Sequence, residues 1–183
     1  MRSAPSPGAA TSPRLAVLAL GGNLAPREAW LDRAWETLAT AGAEVLASTP
    51  RWHTRPLGGP PQPDYLNQLV LARGAWDGRG WLRVAQLAEA GAGRVRLVDK
   101  GPRRLDVDVI LIEAESVSSP DLVIPHPALL QRPFLLAGAA ALAPHWIPPG
   151  WRVELEVVAR AHLTGLWARP IPVTGGAGRP KRE

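Results

Sequence analysis

The residues with the clearest chemical potential are Asp106 and Asp108, separated by Val107. In a strand, residues i and i+2 project to the same side, about 6.5–7 Å apart along the chain. Two carboxylates so placed offer the oxygen ligands that Mg²⁺ takes, and Mg²⁺ commonly shares its shell with substrate phosphates. Two such ions about 3.5–4 Å apart clamp a phosphate in transfer. The plainer reading of Asp-x-Asp is a solvated strand edge. Its surroundings weigh against that: Val107, Val109, Ile110, Leu111 and Ile112 make the strand apolar on both faces. Two like charges at its mouth repel unless something cationic sits with them. Cations lie just upstream, where Arg94, Arg96, Lys100, Arg103 and Arg104 fall within eleven residues, with Asp99 among them. Planar guanidiniums suit bidentate binding of phosphate oxygens. Pro102 restricts the backbone before Arg103. A basic loop feeding an acidic pair is what a metal–polyphosphate site requires; the plainer alternative is a charge-balanced surface loop.

A second constellation follows the proline-rich stretch 54–64. If Tyr65 begins a strand, Tyr65 and Asn67 share one face. A ring that stacks and an amide that reads an edge together suit a flat, polar heterocycle. Phe134 offers the opposite slab, since it and Tyr65 are the single Phe and single Tyr in a chain that otherwise uses Trp. Core packing is the competing reading for both rings. Other chemistries find no support. Neither Lys100 nor Lys181 sits in a phosphate-binding Gly-x-x-x-x-Gly-Lys pattern, and no dinucleotide or nucleophile-elbow motif is present. With no cysteine, disulfides, thiolate metal sites and thiol nucleophiles are excluded. The four His, at 53, 126, 145 and 162, lack metal-ligand spacing; His126, between Pro125 and Pro127, lies in a rigid turn.

These residues need elements to hold them. Leu15–Leu20 reads as a buried strand ending at the turn signal Gly21-Gly22-Asn23. Pro26 suits a first helical turn, Trp30, Ala34, Leu38 and Ala41 keep helical spacing, and Gly42 suits the C-cap. Val45–Trp52 and Tyr65–Ala72 read as strands around the proline-rich loop. Trp81–Ala90 reads as a helix, Gly91–Gly101 as a basic loop and Leu105–Ile112 as a strand. The order strand, helix, strand, strand, helix, strand predicts a ferredoxin-like α+β sandwich of βαββαβ type. Additional C-terminal helices are expected near 127–142 and 153–163.

The chain holds 183 residues, 46% of them hydrophobic, which suits one domain with a core. Its net charge of +5 invites a nucleic-acid reading. The location of that charge opposes it: residues 15–164 hold fifteen basic and fifteen acidic side chains, so the excess lies at the two ends. Segment 1–14 is therefore expected to be a disordered basic tail, 15–164 the working domain, and 165–183 an extension flexible at its end. The longest apolar run, 134–143, is half the length of a membrane helix, and the N-terminal apolar stretch is too short for a signal sequence. A cytoplasmic protein, with no membrane or nucleic-acid partner, is expected. Nineteen of the 21 basic residues are Arg and eight of the ten aromatics are Trp, a bias that makes any single Arg or Trp a weak signal.

In chain order, these motifs resemble one family. Leu20-Gly21-Gly22-Asn23-Leu24, Thr54-Arg55-Pro56-Leu57-Gly58 and Gln62-Pro63-Asp64-Tyr65-Leu66-Asn67 come first. Glu89, Gly93-Arg94-Val95-Arg96 and Gly101-Pro102-Arg103-Arg104-Leu105-Asp106-Val107-Asp108 follow, then Pro125-His126-Pro127 and Arg132-Pro133-Phe134. Together they are similar to the 6-hydroxymethyl-7,8-dihydropterin pyrophosphokinases of folate biosynthesis. The resemblance implies a ferredoxin-like fold and transfer of pyrophosphate from ATP to the hydroxymethyl group of the dihydropterin, with two Mg²⁺ ions. It implies Asp106 and Asp108 as metal ligands and Arg94 and Arg103 as catalytic phosphate-binding residues. Thr54, Pro56, Leu57, Tyr65, Asn67 and Phe134 fall at the pterin. Gln86, Glu89, Arg94, Arg96, Lys100, Arg103, Val109, His126 and Arg132 fall at ATP. A monomer is expected. This chain departs from the family pattern at Gly22, where Ser is common, at Arg55, where Pro is frequent, and at Lys100, where an aromatic is frequent. An RNA-binding domain of the same fold class lacks its aromatic RNP-type motif here. A catalytically dead pterin- or nucleotide-binding domain is opposed by the intact Asp pair.

Overall fold

The structure is a computed structural model that describes residues 12–93 and 101–163. Its sheet begins with β1 (Arg14–Gly22), whose apolar run packs on both sides. Strand β1 pairs antiparallel with β4 (Tyr65–Gly74) on one edge and β5 (Asp106–Ile112) on the other. Strand β2 (Glu44–Ser48) continues the sheet beyond β4, giving the order β2-β4-β1-β5, and the short β3 (Trp52–Thr54) also pairs with β4. The architecture is mixed α+β with an antiparallel sheet.

The single strand expected over Val45–Trp52 is two strands. Pro50 has no N–H to give the ladder. Thr49 spans the break: its N–H donates to Leu69 O at 2.9 Å and its hydroxyl accepts from Leu69 N–H at 3.0 Å. One extra residue is absorbed there, since Ser48 faces Val70 but Trp52 faces Asn67.

Helices cover both faces. Alternation along β1 sends Ala16, Leu18 and Leu20 to one side, where α1 (Arg27–Ala41) and α2 (Gly78–Gly91) supply Leu31, Ala34, Leu38, Trp81, Val84 and Ala88. Val17 and Ala19 go to the other, where α3 (Pro133–Leu142) and α4 (Leu155–Leu163) supply Leu135, Leu136, Ala139 and Leu155. The result is three layers around two apolar cores. Gly42 closes α1 in the left-handed conformation, at φ 100°. The helix expected from about 127 starts at Pro133 instead. Proline suits the first helical position and disfavours helical geometry in the residue before it, so 127–132 stay in turns.

The pairing of β1 with β5 carries a bulge. Val17 faces Leu111 but Leu18 faces Val109, leaving Ile110 as the extra residue. Ile110 and Leu111 therefore both enter the α3/α4 core, whereas Val107 and Val109 face α1 and α2. A hairpin not foreseen in the sequence, β6 (Val117–Ser119) with β7 (Leu122–Ile124), lies beyond β5. Arg14, expected in the N-terminal tail, opens β1, and its guanidinium meets Glu115 at 2.8 Å. No helix among the described residues is long and apolar enough to cross a membrane.

Candidate active site

Asp106 and Asp108 alternate with Val107 and Val109, so both carboxylates face the α3/α4 side of the sheet. Asn67 and Tyr65 alternate with the buried Leu66 and face the same side. The register aligns them. Asn67 lies opposite Gly21 on β1, and Gly21 lies opposite Asp106 on β5. Two strand spacings separate Asn67 from Asp106, about 10 Å. The amide–ring pair and the carboxylate pair thus occupy one end of one sheet face.

Glycines make that row possible. A Cβ on Gly21 would stand 2.4 Å from Asn67 Oδ1, so the amide lies where a side chain of β1 would be. A Cβ on Gly22 would stand 2.1 Å from the Arg104 carbonyl oxygen, a backbone contact that cannot yield easily. The Asn67 amide donates to the Thr54 hydroxyl at 2.7 Å, which joins two of the expected pterin residues. Pro56 is partly exposed and Leu57 largely so, in the loop beyond Thr54. Phe134 stands half-buried in the first turn of α3, on the same side of the sheet. Among the described residues the rings in mutual contact are Trp76 and Trp81, so Tyr65 and Phe134 do not stack on each other.

The electrostatics centre on β5. Arg103 Nη1 meets Asp106 Oδ2 at 2.9 Å, both groups partly buried. Burial works against the Arg103 charge, but Asp106, Tyr65 and Asp108 outweigh it and hold the guanidinium above its ordinary pKa. Among the described residues Asp108 makes no ion pair of this kind. Its carboxyl is pushed up to about 7 by burial, then by Asp106 and Glu89, against the opposing pull of Arg132 and Arg103. Two carboxylates of which one resists ionisation fit a divalent cation, whose charge reverses that penalty. Burial and Arg132 keep the His126 imidazole below its usual range, and its Nδ1 accepts from Ala128 N–H at 3.1 Å.

Arg104 does not join Arg103. It turns to the opposite side of the chain, with its guanidinium 5.4 Å from the Trp30 ring centroid. The described part of the basic cluster is therefore two residues with separate tasks. Arg94, Arg96 and Lys100 lie outside the described residues.

Glu89, near the end of α2, is buried and accepts from Val107 N–H at 3.0 Å. It pins the outer edge of β5 between the two Asp residues. Val109 follows two residues along β5. A cleft of about 200 Å³ opens there, lined by Leu82, Val109, Asp108, Leu122 and His126 among others. Gln86 lies exposed one turn before Glu89, and Arg132 precedes α3. Glu89→Ala is expected to cost about 1–3 kcal/mol by orphaning the Val107 amide. Glu89→Gln, which keeps an acceptor oxygen, should recover most of that in thermal unfolding.

Asn23 and Gln62 were not singled out as site residues by sequence reasoning. Asn23 is 2% exposed, and its amide donates to Gln62 Oε1 at 2.9 Å and Pro63 O at 3.0 Å. Its Oδ1 accepts from Arg103 N–H at 2.8 Å. Gln62 Oε1 in turn accepts from the Tyr65 hydroxyl at 3.3 Å. The available signals are an amide directly after a glycine pair and the place of both residues in the family-like motifs, to which the sequence attaches no site role.

The family described as 7,8-dihydro-6-hydroxymethylpterin-pyrophosphokinase (HPPK) matches residues 17–144. A 2-amino-4-hydroxy-6-hydroxymethyldihydropteridine pyrophosphokinase of Synechocystis sp. is 35% identical over 170 residues, covering 91% of this chain and 87% of that one. One from Methylorubrum extorquens is 36% identical over 152 residues, covering 82% and 96%. The fold is similar to that of a Plasmodium falciparum HPPK-DHPS protein solved with pteroate, at a TM-score of 0.61 and 10% identity. That match covers 84% of this chain and 43% of the other, so the chain spans less than half of that longer polypeptide. The chain belongs to the 7,8-dihydro-6-hydroxymethylpterin-pyrophosphokinase (HPPK) family.

Proposed function

We propose that this protein transfers the β,γ-pyrophosphoryl group of ATP to the hydroxymethyl oxygen of 6-hydroxymethyl-7,8-dihydropterin and releases AMP, in folate biosynthesis. The observation that carries this reading is the row Asn67–Gly21–Asp106, which sets a heterocycle-reading amide and a metal-binding carboxylate about 10 Å apart on one sheet face. Strand order β2-β4-β1-β5, with two helices on one face, supports a ferredoxin-like arrangement extended by α3 and α4.

In this reading the pterin lies between Tyr65 and Phe134. Asn67 and Thr54, with the backbone near Pro56 and Leu57, read its polar edge. The nucleotide lies along the outer edge of β5, with Val109, His126, Gln86, Glu89 and Arg132 around it, and Arg103 meets its phosphates. Arg94, Arg96 and Lys100 belong with Arg103 by their place in the motif. Asp106 and Asp108 would hold two Mg²⁺ ions, which would supply positive charge to the phosphate oxygens. The hydroxymethyl oxygen forms a bond to the β-phosphorus as the bond from that phosphorus to the α-phosphate oxygen breaks. The hydroxyl proton passes to solvent. What the protein supplies is alignment and positive charge, so no side-chain nucleophile is needed. The neutral charge balance of residues 15–164 supports small substrates rather than nucleic acid as partners.

Mixing the protein with ATP, Mg²⁺ and hydroxymethyldihydropterin should yield AMP; formation of ADP instead would exclude pyrophosphoryl transfer. Phe134→Ala should weaken pterin binding about tenfold or more while changing ATP affinity less than threefold, as loss of a stacking face predicts. Equal losses for both ligands in calorimetry would remove Phe134 from the pterin slot.

A further inference from the structure

Asn23 is bonded through both its backbone and its side chain to segments on opposite sides of the site. Its N–H donates to Arg103 O at 2.9 Å while its Oδ1 accepts from Arg103 N–H at 2.8 Å, so one residue holds both polar groups of the Arg103 backbone. Its amide hydrogens hold Gln62 Oε1 and Pro63 O. The same segment is fastened again by Arg27, whose Nη1 donates to Asp64 O at 3.0 Å. From Gln62 the contacts run to the Tyr65 hydroxyl, and from Arg103 to Asp106. A continuous polar chain, Tyr65–Gln62–Asn23–Arg103–Asp106, therefore joins the aromatic side of the site to its carboxylate side. Because Asn23 is buried, its bonds are not exchanged with water, and breaking one leaves a partner unsatisfied.

We propose that Asn23 is a positioning residue that couples the pterin half-site to the nucleotide half-site. This rests on the substrate assignment above. When phosphates engage the Arg103 side chain, the Arg103 backbone is ordered, and Asn23 passes that order to the Gln62–Pro63 segment beside Tyr65. The effect is reciprocal by linkage: pterin seated against Tyr65 tightens the nucleotide by the same factor. Neither ligand has to touch Asn23.

The test is a binding cycle on the full chain. Pterin affinity is measured by calorimetry with and without a non-hydrolysable ATP analogue plus Mg²⁺, for the native protein and for Asn23→Ala. The native protein should bind pterin more tightly when the analogue is present. In Asn23→Ala that enhancement should fall about fivefold or more, with the affinity for the analogue alone changed less than threefold. A purely structural role would lower the unfolding temperature or both separate affinities and leave the enhancement intact. An enhancement unchanged within twofold, or none in the native protein, overturns the proposal. If Asn23→Ala does not stay folded, Asn23→Asp takes its place: it keeps an acceptor for Arg103 N–H and loses donation to Pro63 O, and the same criterion applies. Failure of the substrate assignment reads differently, as a native protein that makes no AMP and binds no pterin under either condition.

Discussion

Asp108→Asn is expected to abolish AMP formation and, with Mg²⁺ chelated, to make the protein more stable at pH 8. The two effects have one cause. The Asp108 carboxyl is pushed up to about 7 in the folded chain by burial and by Asp106, against about 3.9 in an unfolded one. The folded state therefore holds this proton more tightly than the unfolded state. The stability it contributes is fully present below about pH 4 and is lost as pH rises through 7. At pH 8 the ionised group is a net cost, which Asn removes while keeping the shape. We expect a gain on the order of 1–3 kcal/mol, several degrees in Tm, shrinking as pH falls from 7 toward 4. Turnover should drop by about 10³ or more, because a neutral amide is a poor metal ligand. Thermal unfolding in chelator at pH 5 and pH 8, beside an AMP assay, checks both halves. A variant that is less stable at pH 8, or that still makes AMP at near-native rates, breaks the assignment. The site is then one where stability is given up for charge that function uses.

The second large effect is expected at Arg103. Arg103→Ala should reduce kcat by about 10³ or more, the scale of a guanidinium that meets a transferring phosphoryl group. KM for pterin should move far less. Arg103→Lys should recover part of the rate, since it restores charge but not the planar fork that bonds Asp106 and phosphate together. The Arg103 backbone bonds to Asn23 survive both substitutions, so the fold around residue 103 should hold. Steady-state AMP release decides it: a kcat for Arg103→Ala within tenfold of native would place phosphate activation elsewhere.

Much of this was legible because the determining features are local. An apolar run with two Asp at its start can be read without knowing its neighbours. So can helical spacing before a glycine, or a proline-dense loop between two strand patterns. The element order followed from these periodicities. The errors also have local causes. Val45–Trp52 looks like one strand because nothing in its side-chain pattern shows that Thr49 will take over the ladder at Pro50. The helix near 127–142 looks longer than it is because apolar content continues ahead of Pro133. The β6–β7 hairpin is three residues a side, too short for alternation to register.

The amino-acid sequence by itself determined which chemistry was available: two carboxylates in strand register, guanidiniums beside them, one Tyr, one Phe and an amide. Periodicity alone also assigned them to strands, a loop and a helix. The tertiary structure decided which of them meet. Arg103 and Arg104 are adjacent and chemically identical, yet one pairs with Asp106 and the other lies on Trp30, because the chain entering β5 directs successive side chains to opposite sides. Only the register across β4, β1 and β5 brings Asn67 level with Asp106, and only the missing side chains of Gly21 and Gly22 leave room for Asn67 and the Arg104 carbonyl. Asn23 gained its role the same way. Its bonds reach residues about 40 and 80 positions away, a separation that no local pattern encodes and only the folded sheet closes.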